Sequence, residues 1–158
     1  MRARGFTIIE LVITVAIIAL LTTMVVPSAK LAFQREKEAD LKRALRTLRG
    51  GLDAYKRAWD EGRIKKDIDK QSGYPPDLQT LVDGVDDARS AKDGIKIYFL
   101  RTIPRDPFWP DATTASADTW ALRSYESPPD DPQPGDDVYD VHSKSARTGL
   151  NGVPYRGW

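Results

Sequence analysis

Apolar residues fill the chain almost without interruption from Phe6 to Val26, and beyond Pro27 they thin to every third or fourth position. The first stretch has the length of a bilayer-crossing helix, about 20 residues. In the second, Leu41, Ala44, Leu45, Leu48, Leu52, Tyr55 and Trp59 fall on one helical face, with Arg43, Arg46, Arg49, Lys56 and Arg57 between them. Glu38–Lys42 and Asp53–Arg57 stand in the order that supports a helix surface. Gly62, after Asp60-Glu61, is a C-terminal stop. The pattern predicts one helix from Phe6 to Glu61, on the order of 80 Å at 1.5 Å per residue. Two breakers interrupt it. Pro27 lacks an N–H and crowds the carbonyl one turn back, which predicts a kink or local loosening. Gly50-Gly51 costs about 2 kcal/mol of helix propensity relative to alanine, and permits either a bend or a close approach of the following domain.

After Gly62 the helical period is lost. Asp77 can cap a short helix over Leu78–Val82 that ends at Gly84. Trp120–Tyr125 and Val138–His142 read as strands, and a third lies near Val153–Tyr155. Between the first two, Ser127–Gly135 is a proline-rich surface hairpin loop. The expected fold is α+β: a long N-terminal helix, its first half transmembrane, packed on a small three-stranded antiparallel sheet. The segments are residues 6–27 (the spanning helix), 28–61 (its amphipathic continuation) and 62–158 (a small globular head).

Composition narrows the chemistry. At 158 residues, with the helix removed, the remainder supports one small core and not two. There is no Cys, so neither a disulfide framework nor a thiolate metal site is available. Lys plus Arg is 24 against 23 Asp plus Glu, a balance that argues against nucleic acid as a partner. The single His142 has no second imidazole or thiol to share a metal, and no nucleophile elbow surrounds any Ser. Trp59, Trp109, Trp120 and Trp158 lack the basic interleaving of a base-stacking platform and read as core and interface aromatics. No catalytic residue and no metal ligand emerges, and the chain reads as structural rather than enzymatic.

One acid breaks the apolar run. Glu10 lies inside Phe6–Val26, and Arg2, Ala3, Arg4 and Gly5 precede it. An ionised side chain within a spanning helix costs about 2.5–3.5 kcal/mol, so it needs a partner or a function. A secretory signal has a shorter apolar core of about 7–15 residues and a small-x-small cleavage site, which Val26-Pro27-Ser28-Ala29 does not supply. A plain signal anchor with a snorkelling Glu fits hydropathy alone, and flanking charges give no orientation, since Lys30, Arg35 and Lys37 follow the span as closely as Arg2 and Arg4 precede it.

Arg4-Gly5-Phe6-Thr7-Ile8-Ile9-Glu10-Leu11 resembles the leader junction of type IV pilins and type II secretion pseudopilins. The resemblance implies that residues 1–5 are a leader, that a prepilin peptidase cuts between Gly5 and Phe6, and that the new amino group on Phe6 is methylated. The Phe6 ammonium then lies one helical turn from Glu10 and can neutralise it within one chain or between neighbours, setting an assembly register. The same resemblance implies that the stretch ending at Pro27 can become extended when subunits pack. Further on, Tyr74-Pro75-Pro76 before Leu78–Val82, Tyr98–Phe108 with Ile103-Pro104-Arg105-Asp106-Pro107, Asp137–Ser143 and the ending in Trp158 are similar to the major pseudopilins of type II secretion, the GspG family. That family implies a homo-oligomeric helical filament that drives protein secretion, with minor pseudopilins, an inner-membrane assembly platform, prepilin peptidase and the lipid bilayer as partners. It also places the leader in the cytoplasm and the head in the periplasm of a single-pass inner-membrane protein. The alternatives are a type IV pilin for adhesion, motility or DNA uptake, and a signal-anchored periplasmic protein. Type IVa pilins usually close a C-terminal loop with a disulfide, which this chain cannot form. Major pseudopilins commonly bind calcium after the last strand. Here that loop reads Ser143-Lys144-Ser145-Ala146-Arg147-Thr148-Gly149, with two cations and no acid, whereas calcium needs six to eight oxygens. The family's calcium site is therefore expected to be absent, with a link from Arg147 or Arg156 to Asp140 as a substitute.

Overall fold

A computed structural model describes residues 6–65, 72–92 and 94–158, with the backbone alone for residues 23–28. The chain divides into two compact units, Met1–Glu36 and Lys37–Trp158, and the helix α1 (Ile8–Asp60) contributes to both. In the first unit every described side chain from Phe6 to Thr22 is exposed, with Ile8 at 84% and Ile18 at 62%. Among the described residues no helix is long and apolar enough to cross a membrane. Within the apolar run the described side chains end at Thr22, and Phe6–Thr22 covers about 25 Å even as full helix, against roughly 30 Å of hydrocarbon. Thr23–Val26, which would complete the span, lie outside the described side chains. The transmembrane assignment of residues 6–27 is thus not supported by the described helix. At Pro27 the backbone stays helical, so the missing N–H does not end α1 there.

The second unit is built on the predicted stripe. Leu41, Ala44, Leu45, Leu48, Leu52, Tyr55 and Trp59 are all buried, and Leu78, Leu81, Trp120, Val138, Val141 and Tyr155 close over them. α1 ends where Gly62 predicts. Gly62 takes φ +68°, its N–H bonds the Trp59 carbonyl, and the Arg63 N–H reaches back to Ala58 at 2.9 Å, the pattern of a Schellman cap. The paired glycines have different roles. A Cβ on Gly51 would stand 2.9 Å from Leu100 Cγ, whereas one on Gly50 would meet open space. Gly51 therefore permits a close approach, and neither residue breaks the helix.

Asp77 caps α2 (Thr80–Asp83) as predicted, with Oδ1 accepting from the Thr80 N–H at 2.7 Å and the Thr80 hydroxyl at 2.8 Å. The sheet differs from the expectation of three strands. Two antiparallel pairs form: β1 (Val85–Asp86) with β2 (Lys96–Ile97), and β3 (Trp120–Arg123) with β4 (Asp140–Ser143), in the register Trp120↔Ser143 to Arg123↔Asp140. The segment read as a third strand makes a single bridge, Thr148↔Pro154, and then turns into a 3-10 helix at Tyr155–Gly157. Pro154 has no N–H to extend a ladder, which limits the pairing to that bridge.

Candidate functional site

Two places carry the functional residues, one in each unit. At the N-terminus, Phe6 is 72% exposed and non-helical, and α1 begins two residues later. Thr7 makes the start. Its Oγ1 accepts a hydrogen bond from the Glu10 N–H at 3.3 Å, and its carbonyl accepts the first helical bond from Leu11 at 3.2 Å. Thr7-Ile8-Ile9-Glu10 has the spacing of a capping box, and an acid in the first turn also faces the positive end of the helix dipole. Thr7 is absent from the sequence-based site residues, although Thr-x-x-Glu ahead of an apolar run is a legible signal. Gly5 lies outside the described residues. Glu10 is exposed, and among the described residues no ion pair engages its carboxylate. Phe6 and Glu10 are thus brought to the same end of α1, while the side chain of Pro27 lies outside the description.

In the second unit, α1 holds the end of the chain with two side chains. Glu38, expected on the surface opposite Lys42, is instead turned inward and only 8% exposed. Its Oε1 accepts from the Leu150 N–H at 2.8 Å and from the buried Tyr155 hydroxyl at 2.9 Å. About three turns along, Arg49 donates through Nε to Asp140 Oδ1 at 2.7 Å and through Nη2 to the Val141 and Trp158 main-chain oxygens at 3.2 and 2.7 Å. Arg49, and neither Arg147 nor Arg156, is therefore the partner of Asp140. Tyr155 stacks on Phe108 at 4.1 Å and meets Trp158 edge-on at 5.1 Å. Gly149 leaves room for this packing, since a Cβ there would sit 2.5 Å from Trp158. Beside Asp140, His142 Nδ1 is buried without a hydrogen-bond partner, and burial pushes the imidazole pKa below its ordinary 6.5.

The loop after β4 is tied down by hydrogen bonds within the chain. The Ser143 hydroxyl donates to the buried Asp106 carboxylate at 2.5 Å, Lys144 Nζ donates to the Asp118 carbonyl, and the Arg147 carbonyl accepts from the Tyr155 N–H. Asp140 is taken by Arg49, and among the described residues there is no group of three or more His, Cys, Asp or Glu that could hold a metal.

Residues 1–26 match the prokaryotic N-terminal methylation motif, which spans Gly5, Phe6, Thr7 and Glu10. Over 113 residues the chain is 28% identical to the type II secretion system core protein G of Klebsiella pneumoniae, covering 70% of this chain and 72% of that relative. Over most of its length the chain is similar to a type II secretion pseudopilin of the core protein G type. No solved structure matches it. A pseudopilin is a structural subunit and not an enzyme, in keeping with the lack of any catalytic grouping in the sequence. The pilin-like α+β build, a long N-terminal helix followed by small antiparallel sheets, is common ground between this structure and the fold read from its residues.

Proposed function

We propose that this chain is a structural subunit of a type II secretion pseudopilus. A prepilin peptidase cuts it after Gly5 and the Phe6 amino group is methylated. Residues 6–27 then hold it in the inner membrane, head in the periplasm, until the assembly platform draws it into a helical filament with minor pseudopilins, and filament growth drives secretion. The observation that carries this reading is the exposed apolar shell of α1. Ile8, Ile9, Ile17 and Ile18 are each more than half exposed, at 84%, 69%, 52% and 62%, and at 3.6 residues per turn they point to all sides of the helix. A helix apolar all round is covered by lipid or by other helices, and a filament core offers the second after a membrane offers the first. Glu10 is the exception in that shell, and a methylated Phe6 ammonium of its own or a neighbouring subunit neutralises it. The head needs no calcium, because Glu38 and Arg49 perform the closure that an ion would.

Intact mass of the membrane-extracted protein tests the processing: it lacks Met1–Gly5 and carries one extra methyl group. Glu10→Leu tests the pairing. Membrane insertion persists and filaments are lost; filaments that form normally with Leu at this position would refute the role given to Glu10.

A further inference from the structure

One face of α1 is basic where it meets the end of the chain. Lys42, Arg46 and Arg49 line a cleft of about 360 Å³ whose other wall includes Asn151, Val153 and Trp158. No Asp or Glu side chain lines it, and the Trp158 main-chain oxygen is bonded to Arg49. Arg49 is engaged by Asp140, and Lys42 Nζ lies 4.6 Å from the centre of the Trp158 ring. Arg46 is exposed, with no ion pair among the described residues. Cations at the mouth and an indole on the wall suit an anionic segment that also carries apolar surface.

The chain owns a segment of that chemistry. The loop between β3 and β4 exposes Glu126, Asp130, Asp131 and Asp136 and contains Pro128, Pro129, Pro132 and Pro134. Glu126, Asp130 and Asp136 form no ion pair among the described residues. The loop is held in shape from within. The Ser127 hydroxyl donates to the Asp131 carbonyl at 3.1 Å and accepts from the Gln133 N–H at 2.7 Å, and Arg123 donates twice to the Ser127 carbonyl. Its acids are thus presented with little ordering left to lose on docking. None of these loop residues lines the cleft of its own chain.

We propose that the basic cleft receives the acidic, proline-rich loop of a second copy of this chain, an inference that rests on the filament reading above. Cleft and loop are different patches of one molecule. Their union is head-to-tail and leaves a free cleft at one end and a free loop at the other, the condition for an open helical array rather than a closed dimer. Charge complementarity of this kind fixes register and excludes wrong partners more than it adds affinity.

Because the chain has no Cys, cross-linking is free of background. Arg46→Cys with Asp131→Cys, expressed as the full chain in secreting cells and oxidised mildly, gives a ladder of covalent oligomers, and either single variant gives none. Filaments visible by microscopy without a ladder overturn the contact while leaving the filament reading intact. Should the double Cys chain not assemble, charge exchange decides. Arg46→Glu lowers the yield of filaments about tenfold, and Asp130→Lys with Asp131→Lys in the same chain restores it. Failure of that restoration refutes the pairing. So does an Arg46→Glu effect confined to binding of vesicles rich in phosphatidylglycerol, which would make an anionic lipid the occupant.

Discussion

Replacing Glu38 with alanine removes the acceptor that ties the last fifteen or so residues to α1, and the cost follows from what is left behind. The Leu150 N–H is beside exposed surface, Leu150 itself being 43% exposed, and water recovers it. The Tyr155 hydroxyl cannot be recovered that way, because Tyr155 is 0% exposed between Phe108 and Trp158. Hydrogen bonds to a charged group contribute about 1.5–3 kcal/mol, and a stranded buried hydroxyl costs about 1–3 kcal/mol. The expected loss is about 2–4 kcal/mol, near 10 °C in Tm for a unit of this size. Glu38→Gln keeps an acceptor oxygen and loses only the charge, so its loss is about half as large. Thermal unfolding of the detergent-solubilised full chain, followed by near-ultraviolet circular dichroism with millimolar calcium or with EDTA, reads all three proteins. Wild type unfolds at the same temperature in both. A wild-type Tm that rises by several degrees with calcium would mean that an ion holds the loop, as would an alanine variant indistinguishable from wild type.

Gly50→Ala raises stability by about 0.5–1 kcal/mol in the same melt, because a helical glycine gains propensity and its Cβ meets nothing, while Gly51→Ala gains nothing or loses, its Cβ being 2.9 Å from Leu100. His142 is neutral in the fold and its pKa lies below the unfolded 6.5, so its contribution is complete above that pH and is lost as pH falls further; a pH series of Tm for wild type against His142→Gln shows wild type falling away below about pH 6.5, and parallel curves would sink the assignment. Arg49→Ala leaves Asp140 without its partner and costs about 1–2 kcal/mol, a value reduced by the partial exposure of both groups and read as a shift in the urea midpoint.

What the sequence made legible was whatever recurs with a period or acts over a few residues. The stripe Leu41 to Trp59, the Gly62 stop, the Asp77 cap and the strands read at Trp120–Tyr125 and Val138–His142, which pair as Trp120–Arg123 with Asp140–Ser143, all came from local rules. The misses are contacts across long sequence separations. Glu38 looked like half of a surface ion pair with Lys42 because both fit the helical spacing, and nothing nearby in sequence shows that Leu150 and Tyr155 claim it. The same holds for Asp140, whose cation comes from α1 rather than from the closer Arg147 or Arg156. The third strand failed for a reason that was present, a proline in its middle.

The cap on α1 changes what a cut after Gly5 does to the molecule. Thr7 lies two positions past that bond and satisfies the opening turn with its own hydroxyl, so trimming the leader leaves the rod's beginning as it was. Phe6 lies outside the coil and is exposed, so under the proposed processing its new amino group is open to a methyl donor. The proposed maturation then alters charge at the tip and leaves the Thr7 cap in place.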